Sequence, residues 1–198
     1  MIKTIIFDFG GVLHNYNHKE LIKEVAKEVK KDEELVARAW KYKIVEYEKG
    51  IISEEEFWND FLKIIDKDYD KKVLRQILLD HFYPLENSLK LMRKLKEKYS
   101  LGLISNHTTW MDDLEEKYDF KKYFDLIVIS NEARSVKPEK KIFEIFIDKI
   151  KQKPSEMVFI DDNANYEKSC KELGLNFIHF TSASKLKEDL RKLGVKVN

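Results

Sequence analysis

At 198 residues the chain is one domain by length, or one core with an insertion, and it can bury a core without covalent staples. Its 37 basic and 36 acidic residues leave a net charge of +1, which argues against the basic excess that a nucleic-acid grip needs. Cys170 is the only cysteine, so no internal disulfide is expected and a cytoplasmic location follows, while a first apolar run of about four residues is too short for a signal peptide or a membrane helix.

The chain opens with "KTIIFDFGGVLHNY". Residues 3–8 read as a short buried strand, β-branched and closed by Asp8 and the Gly10-Gly11 pair. From about 18 to 83 the pattern is helical. Leu21, Ile22, Val25 and Val29 share one face, and Leu35, Val36, Ala39 and Trp40 share the face of a second helix. Ser53 followed by Glu56 predicts a capping box ahead of a third helix with Phe57, Phe61 and Ile65. Val73, Ile77 and Leu78 mark a fourth. After Pro84 helices alternate with short apolar strands: helix 87–98, "LGLIS" at 101–105, helix 110–118, "FDLIVIS" at 124–130, helix 139–150, "MVFID" at 157–161, helix 164–173, "NFIHF" at 176–180, then a charged helix. That alternation predicts an α/β fold, a Rossmann-like parallel sheet covered on both faces, with an all-helical insertion after the first strand.

In such a sheet ligands bind beyond the carboxyl ends of the strands. Those ends deliver Asp8, then Ser105-Asn106, then a loop "SNEARSVKPE" with Lys137, then Asp161-Asp162. Taken singly each has a bland reading: a turn former, a helix cap, a solvated lysine, a loop. Their conjunction in this order is far less common.

The order resembles the haloacid dehalogenase (HAD) superfamily of hydrolases. "FDFGGVL", "LISN", "VKP" and "FIDDN" stand where its four motifs stand, across nearly the whole chain. "YEKGIISEEEF", "SNHTTW" and "FIDDNANYEKSCKELGL" look like the bacterial sugar-phosphate phosphatase branch that includes α-glucose-1-phosphatase. The resemblance implies a core of residues 1–14 and 85–198 and a mobile helical cap of residues 15–84. It implies that Asp8 is the nucleophile, forming an aspartyl-phosphate, and that Mg²⁺ is held by Asp8, the Gly10 carbonyl and Asp162, with Asp161 in support. Ser105 and backbone N–H groups near Asn106 and His107 would hold the phosphate, and Lys137 would pair with both phosphate and Asp8. Pro138 would open the next helix. The expected substrate is a small phosphorylated metabolite.

Carboxylates that attack a phosphate face anion–anion repulsion, which a bound cation relieves. Asp side chains are the hard oxygen donors that Mg²⁺ prefers. Position 10 departs from the family pattern. Most family phosphatases carry there a second Asp that protonates the leaving group, and Gly10 has no side chain. His14 and His107 are the nearest substitutes by sequence, although for each the reading as a loop or cap histidine carries more weight. Dehalogenase relatives also lack that Asp and use no metal, and an inactive binding module is a third reading. The acidic pair at 161–162 weighs against the dehalogenase, and the intact Asp8, Ser105, Lys137 and Asp162 weigh against the inactive module. The aromatics Trp40, Tyr47, Phe57, Trp58, Phe61, Phe82 and Tyr83 are expected to form the core of the insertion, with one or two facing the cleft.

Overall fold

The computed structural model describes residues 1–197. β1 (Thr4–Phe7), β2 (Ser100–Ser105), β3 (Leu126–Ile129), β4 (Met157–Asp161) and β5 (Asn176–His179) form one parallel sheet in the order β3-β2-β1-β4-β5. The chain first winds outward from β1 through β2 to β3, then crosses back to β4 and β5. The order therefore reverses between β1 and β4, where a crevice opens at the carboxyl edge. Phe7 pairs with Leu103 on one side and Ile160 on the other, so Asp8 emerges between the ends of β2 and β4, level with Ile104 and Asp161 and one residue short of Ser105.

Alternation along the strands explains the two-faced burial. Ile5, Phe7, Leu101, Leu103, Val158 and Ile160 join the larger core. Ile6, Ile104 and Phe159 turn to the opposite face, against Phe143 and Phe146 of α8 (Lys140–Ile150). Gly102 lies on that second face, and a Cβ there would come within 2.2 Å of Phe146 Cζ. Phe146 is fully buried, so it has little room to retreat. Gly102→Ala is therefore expected to cost about 1–3 kcal/mol, a fall of roughly 2–10 °C in Tm, read by thermal unfolding.

A block of four helices follows β1: α1 (His18–Val29), α2 (Glu33–Glu48), α3 (Glu54–Ile64) and α4 (Lys71–Asp80). The Ser53–Glu56 capping box is present in both directions at the start of α3. Inside the block Trp40, Phe57, Trp58 and Phe61 meet largely edge to face, whereas Tyr83 is exposed. α5 (Glu86–Lys96), α6 (Trp110–Tyr118), α7 (Ser130–Ala133), α9 (Glu167–Glu172) and α10 (Ala183–Lys192) complete the chain. No helix among the described residues is long and apolar enough to cross a membrane.

Several boundaries differ from expectation. The third strand is shorter than 124–130: Ser130 opens the helical turn α7, and the Asp125 side chain accepts from Ser100 and Leu101 instead of extending the strand. The expected helix 164–173 is a 3₁₀ turn, Ala164–Tyr166, followed by α9. Pro138 does not open α8. The Lys137–Pro138 peptide is cis, Glu139 is the N-cap and the helix begins at Lys140.

Candidate active site

Four strand ends converge at the switch point. Asp8, Asp161 and Asp162 each offer a carboxylate oxygen within 4.8 Å of the others. Lys137 is buried among them, its Nζ 2.6 Å from Asp161 Oδ2 and 2.8 Å from Asp8 Oδ1. The second contact is close enough for an ion pair but off the direction of a hydrogen bond, so buried Asp8 Oδ1 has no hydrogen-bond partner. Phe159 and Tyr166 offer ring faces to the ammonium at 5.2 and 5.1 Å.

One ammonium shared by three carboxylates leaves an excess of negative charge, and the ionisation of the site reflects it. Burial, reinforced by the neighbouring charge of Asp8, raises the Asp161 carboxyl to about 7, although Lys137 pulls the other way. Asp162 is raised for the same reasons, burial first. Burial would lower the Lys137 ammonium, but Asp8 and Asp161 outweigh it and hold the pKa above that of an ordinary lysine. An orphaned buried oxygen, three hard donors and a surplus of negative charge together fit a divalent cation.

The two aspartates of β4 are not equivalent. Asp161 is engaged by Lys137 and by the N–H of Asn163 at 2.8 Å. Asp162 faces the opening, against Gly11. That glycine has φ +77°, and a Cβ there would lie 2.4 Å from Asp162 Oδ2. So Gly11 is needed twice, for its left-handed backbone and for the close approach of a carboxylate.

Ser105 is buried at the end of β2, lines the cavity and makes no side-chain hydrogen bond among the described residues. Asn106 does something else. Its Oδ1 accepts from the Lys137 N–H at 2.7 Å and its Nδ2 donates to the Lys137 carbonyl at 3.1 Å. The Asn106 side chain thus clamps the backbone that carries Lys137, and the residue also lines the cavity. Of the N–H groups expected near Asn106 and His107, that of His107 donates to Ser130 Oγ, and the next one along, Thr108 N–H, donates to His107 Nδ1.

Neither histidine is a proton donor near neutral pH. His14 stacks on Phe9 at 4.2 Å, lies outside the cavity, and burial lowers it to about 4. His107 lines the cavity but is likewise lowered by burial to about 4. The structure also accounts for Gly10. A Cβ at position 10 would meet Tyr16 Cβ at 3.3 Å, and the Tyr16 ring stacks on Phe82 at 4.8 Å. The space beside residue 10 is tight against an aromatic pair.

The cavity over these groups measures ≈ 550 Å³, within the range of small-molecule sites. Its roof comes from the helical block: Tyr16, Trp40, Ile44, Glu48 and Leu78. Trp40 and Phe82 are the two expected aromatics that reach it. Glu48 is the residue that sequence reasoning passed over, although it lies in the "YEKG" stretch.

A family model described as haloacid dehalogenase-like hydrolase matches residues 2–174. The D-ribitol-5-phosphate phosphatase of Bacteroides thetaiotaomicron is 27% identical over 186 residues, 88% of this chain and 89% of that one. The flavin mononucleotide hydrolase 1 of Arabidopsis thaliana is 26% identical over 155 residues, 78% of this chain but only 63% of that protein. A HAD family enzyme from B. thetaiotaomicron, solved as an aspartate-to-alanine variant with magnesium and inorganic phosphate, matches at TM-score 0.81 and 26% identity over 94% of this chain and 99% of that one.

Proposed function

The chain belongs to the haloacid dehalogenase-like hydrolases, and from that premise we propose that it is a magnesium-dependent phosphatase of a small phosphorylated metabolite, with a sugar or sugar-alcohol phosphate as the expected class. The observation that carries the reading is the meeting of Asp8, Asp161 and Asp162 around an orphaned oxygen, with Lys137 among them. A site that released halide without metal would have no use for so much buried negative charge.

Asp8, Asp162 and the Gly10 carbonyl would hold the ion, with Asp161 in support through Lys137. When bound, it supplies positive charge between two anions, the attacking carboxylate and the phosphate. The protein does the rest. Asp8 attacks phosphorus and carries the phosphoryl group as an aspartyl-phosphate, which water then hydrolyses. Asp161 holds Lys137 at 2.6 Å so that its ammonium faces both Asp8 and the incoming phosphate. Ser105 offers an uncommitted hydroxyl to a phosphate oxygen. Residues 15–84 act as a cap over a core of 1–14 and 85–198, excluding bulk water during the first step. Ile44, Leu78 and Trp40 of the roof would then meet the leaving group.

The test is a panel of phosphorylated metabolites, each with magnesium and with chelator, run beside a 2-haloacid. Phosphate release confined to the magnesium arm is expected. Halide release that persists in chelator would overturn the assignment.

A further inference from the structure

Resting on the phosphatase reading, we propose that Glu48 of the helical block is the catalytic acid that protonates the leaving-group oxygen, in place of the side chain that Gly10 lacks. Three independent placements lead there.

First, the usual position is crowded. A Cβ at position 10 would press on Tyr16, which is itself stacked on Phe82, so a side chain there would have to displace Tyr16 by a few tenths of an ångström. Second, Glu48, contributed by the helical block, lines the same cavity as Asp8, near enough that the charges of Asp8 and Lys137 act on it. Its carboxylate makes no hydrogen bond or ion pair among the described residues, unlike Asp161. Third, the segment is fixed over the site. The Glu48 carbonyl accepts from Ser130 Oγ at 2.7 Å, the Tyr47 carbonyl from Asn131 Nδ2 at 2.8 Å, Tyr47 Oη meets Thr109 Oγ1 at 2.6 Å, and Lys49 pairs with Glu139. All four partners belong to the core. The end of α2 is thus latched to the sheet edge by its backbone, which leaves the Glu48 side chain free for the cavity.

The protonation state suits the role. Burial raises the Glu48 carboxyl to about 7; Lys137 lowers it in part and Asp8 raises it further. Lys137 and Asp8 face it from the core and Tyr16 from the loop after β1. Other proton carriers in the cavity fit less well. His107 is neutral, Asp161 is bound to Lys137, and burial pushes the Tyr16 hydroxyl well above its ordinary value.

The step balances. Asp8 Oδ forms a bond to phosphorus as the ester P–O bond breaks. The departing oxygen takes the Glu48 proton and leaves as an alcohol. Glu48 is then a carboxylate, and it regains a proton from the water that hydrolyses the aspartyl-phosphate.

The experiment compares Glu48→Gln with wild type on two esters, reading kcat/KM, which reports only the steps through phosphoryl transfer. p-Nitrophenyl phosphate expels a phenolate that needs no proton. An alkyl phosphate, with ribitol 5-phosphate as the first to try, expels an alkoxide that does. Glu48→Gln is expected to lose about 10²–10⁴-fold on the alkyl ester and only a few-fold on the aryl ester, with an unchanged melting curve. Equal loss on both esters, or no loss on either, would overturn the role of Glu48 while leaving the phosphatase reading intact. A selective alkyl loss in Tyr16→Phe, with Glu48→Gln unaffected, would transfer the role to Tyr16. If wild type with magnesium cleaved neither ester, the phosphatase reading would fall and this proposal with it.

Discussion

Asp8→Asn is expected to abolish turnover, lowering kcat by about 10⁴–10⁶-fold, while the protein stays folded. The chemical part is direct. An amide is not a nucleophile toward phosphorus, and no second carboxylate can take over: Asp161 is locked to Lys137 and Asn163, and Asp162 lies beside Gly11 at the opening. The folding part needs argument, because removing one partner of a buried ion pair commonly costs 3–5 kcal/mol. Here Lys137 keeps Asp161 at 2.6 Å after the substitution. Three carboxylates against one ammonium also means that losing Asp8's charge relieves repulsion rather than stranding a cation. A melting curve in chelator at or above that of wild type, with phosphate release at background, is the predicted pair of results. Substantial residual turnover would remove Asp8 from its role.

Much of this was legible in the sequence because strands buried on both faces leave little ambiguity. "LGLIS" and "MVFID" are apolar up to their last residue, and a sheet covered by helices is the structure that accepts them. Once the strands are placed, their last residues must share one edge, so Asp8, Ser105 and Asp161 follow. What escaped detection depends on contacts between distant segments. Ser130 Oγ reaches the Glu48 carbonyl across 82 positions, and nothing in "YEKG" alone says that this end of α2 will be pinned above the site. Asn106 reads as part of a phosphate cradle because it follows a strand, and its side chain has a second use that the sequence does not show. Its use in clamping Lys137 depends on how the loop after β3 folds back 31 positions later. Pro138 predicted a helix start from local preference, but the same clamp fixes the backbone just before it, and the helix begins beyond. At position 10 the sequence shows that a side chain is missing. Only packing shows that Tyr16 crowds the position.

Removing magnesium is expected to silence the enzyme and also to reverse the way its stability depends on pH near neutrality. The sign follows from Asp161. Its carboxyl stands at about 7 in the folded protein, above the ordinary value of 3.8 that applies when unfolded. The folded state therefore binds the proton more tightly, so this contribution to stability is whole below about pH 4 and disappears as pH rises through 7. In chelator the site should weaken the protein progressively over that window, as mutually repelling carboxylates ionise around a single ammonium. A divalent ion favours the ionised form, and its binding stabilises by mass action, about 2.7 kcal/mol at a hundred times Kd. For a domain of this size that is a rise in Tm of roughly 5–10 °C. The rise should be small at pH 5, where protons compete for the same oxygens, and full at pH 8. Reading the difference between magnesium and chelator at each pH cancels the other titrating groups of the chain, because they appear in both arms. A magnesium shift of equal size at pH 5 and pH 8 would mean that the ion binds away from Asp8, Asp161 and Asp162, and that their crowding at the sheet edge answers to something else.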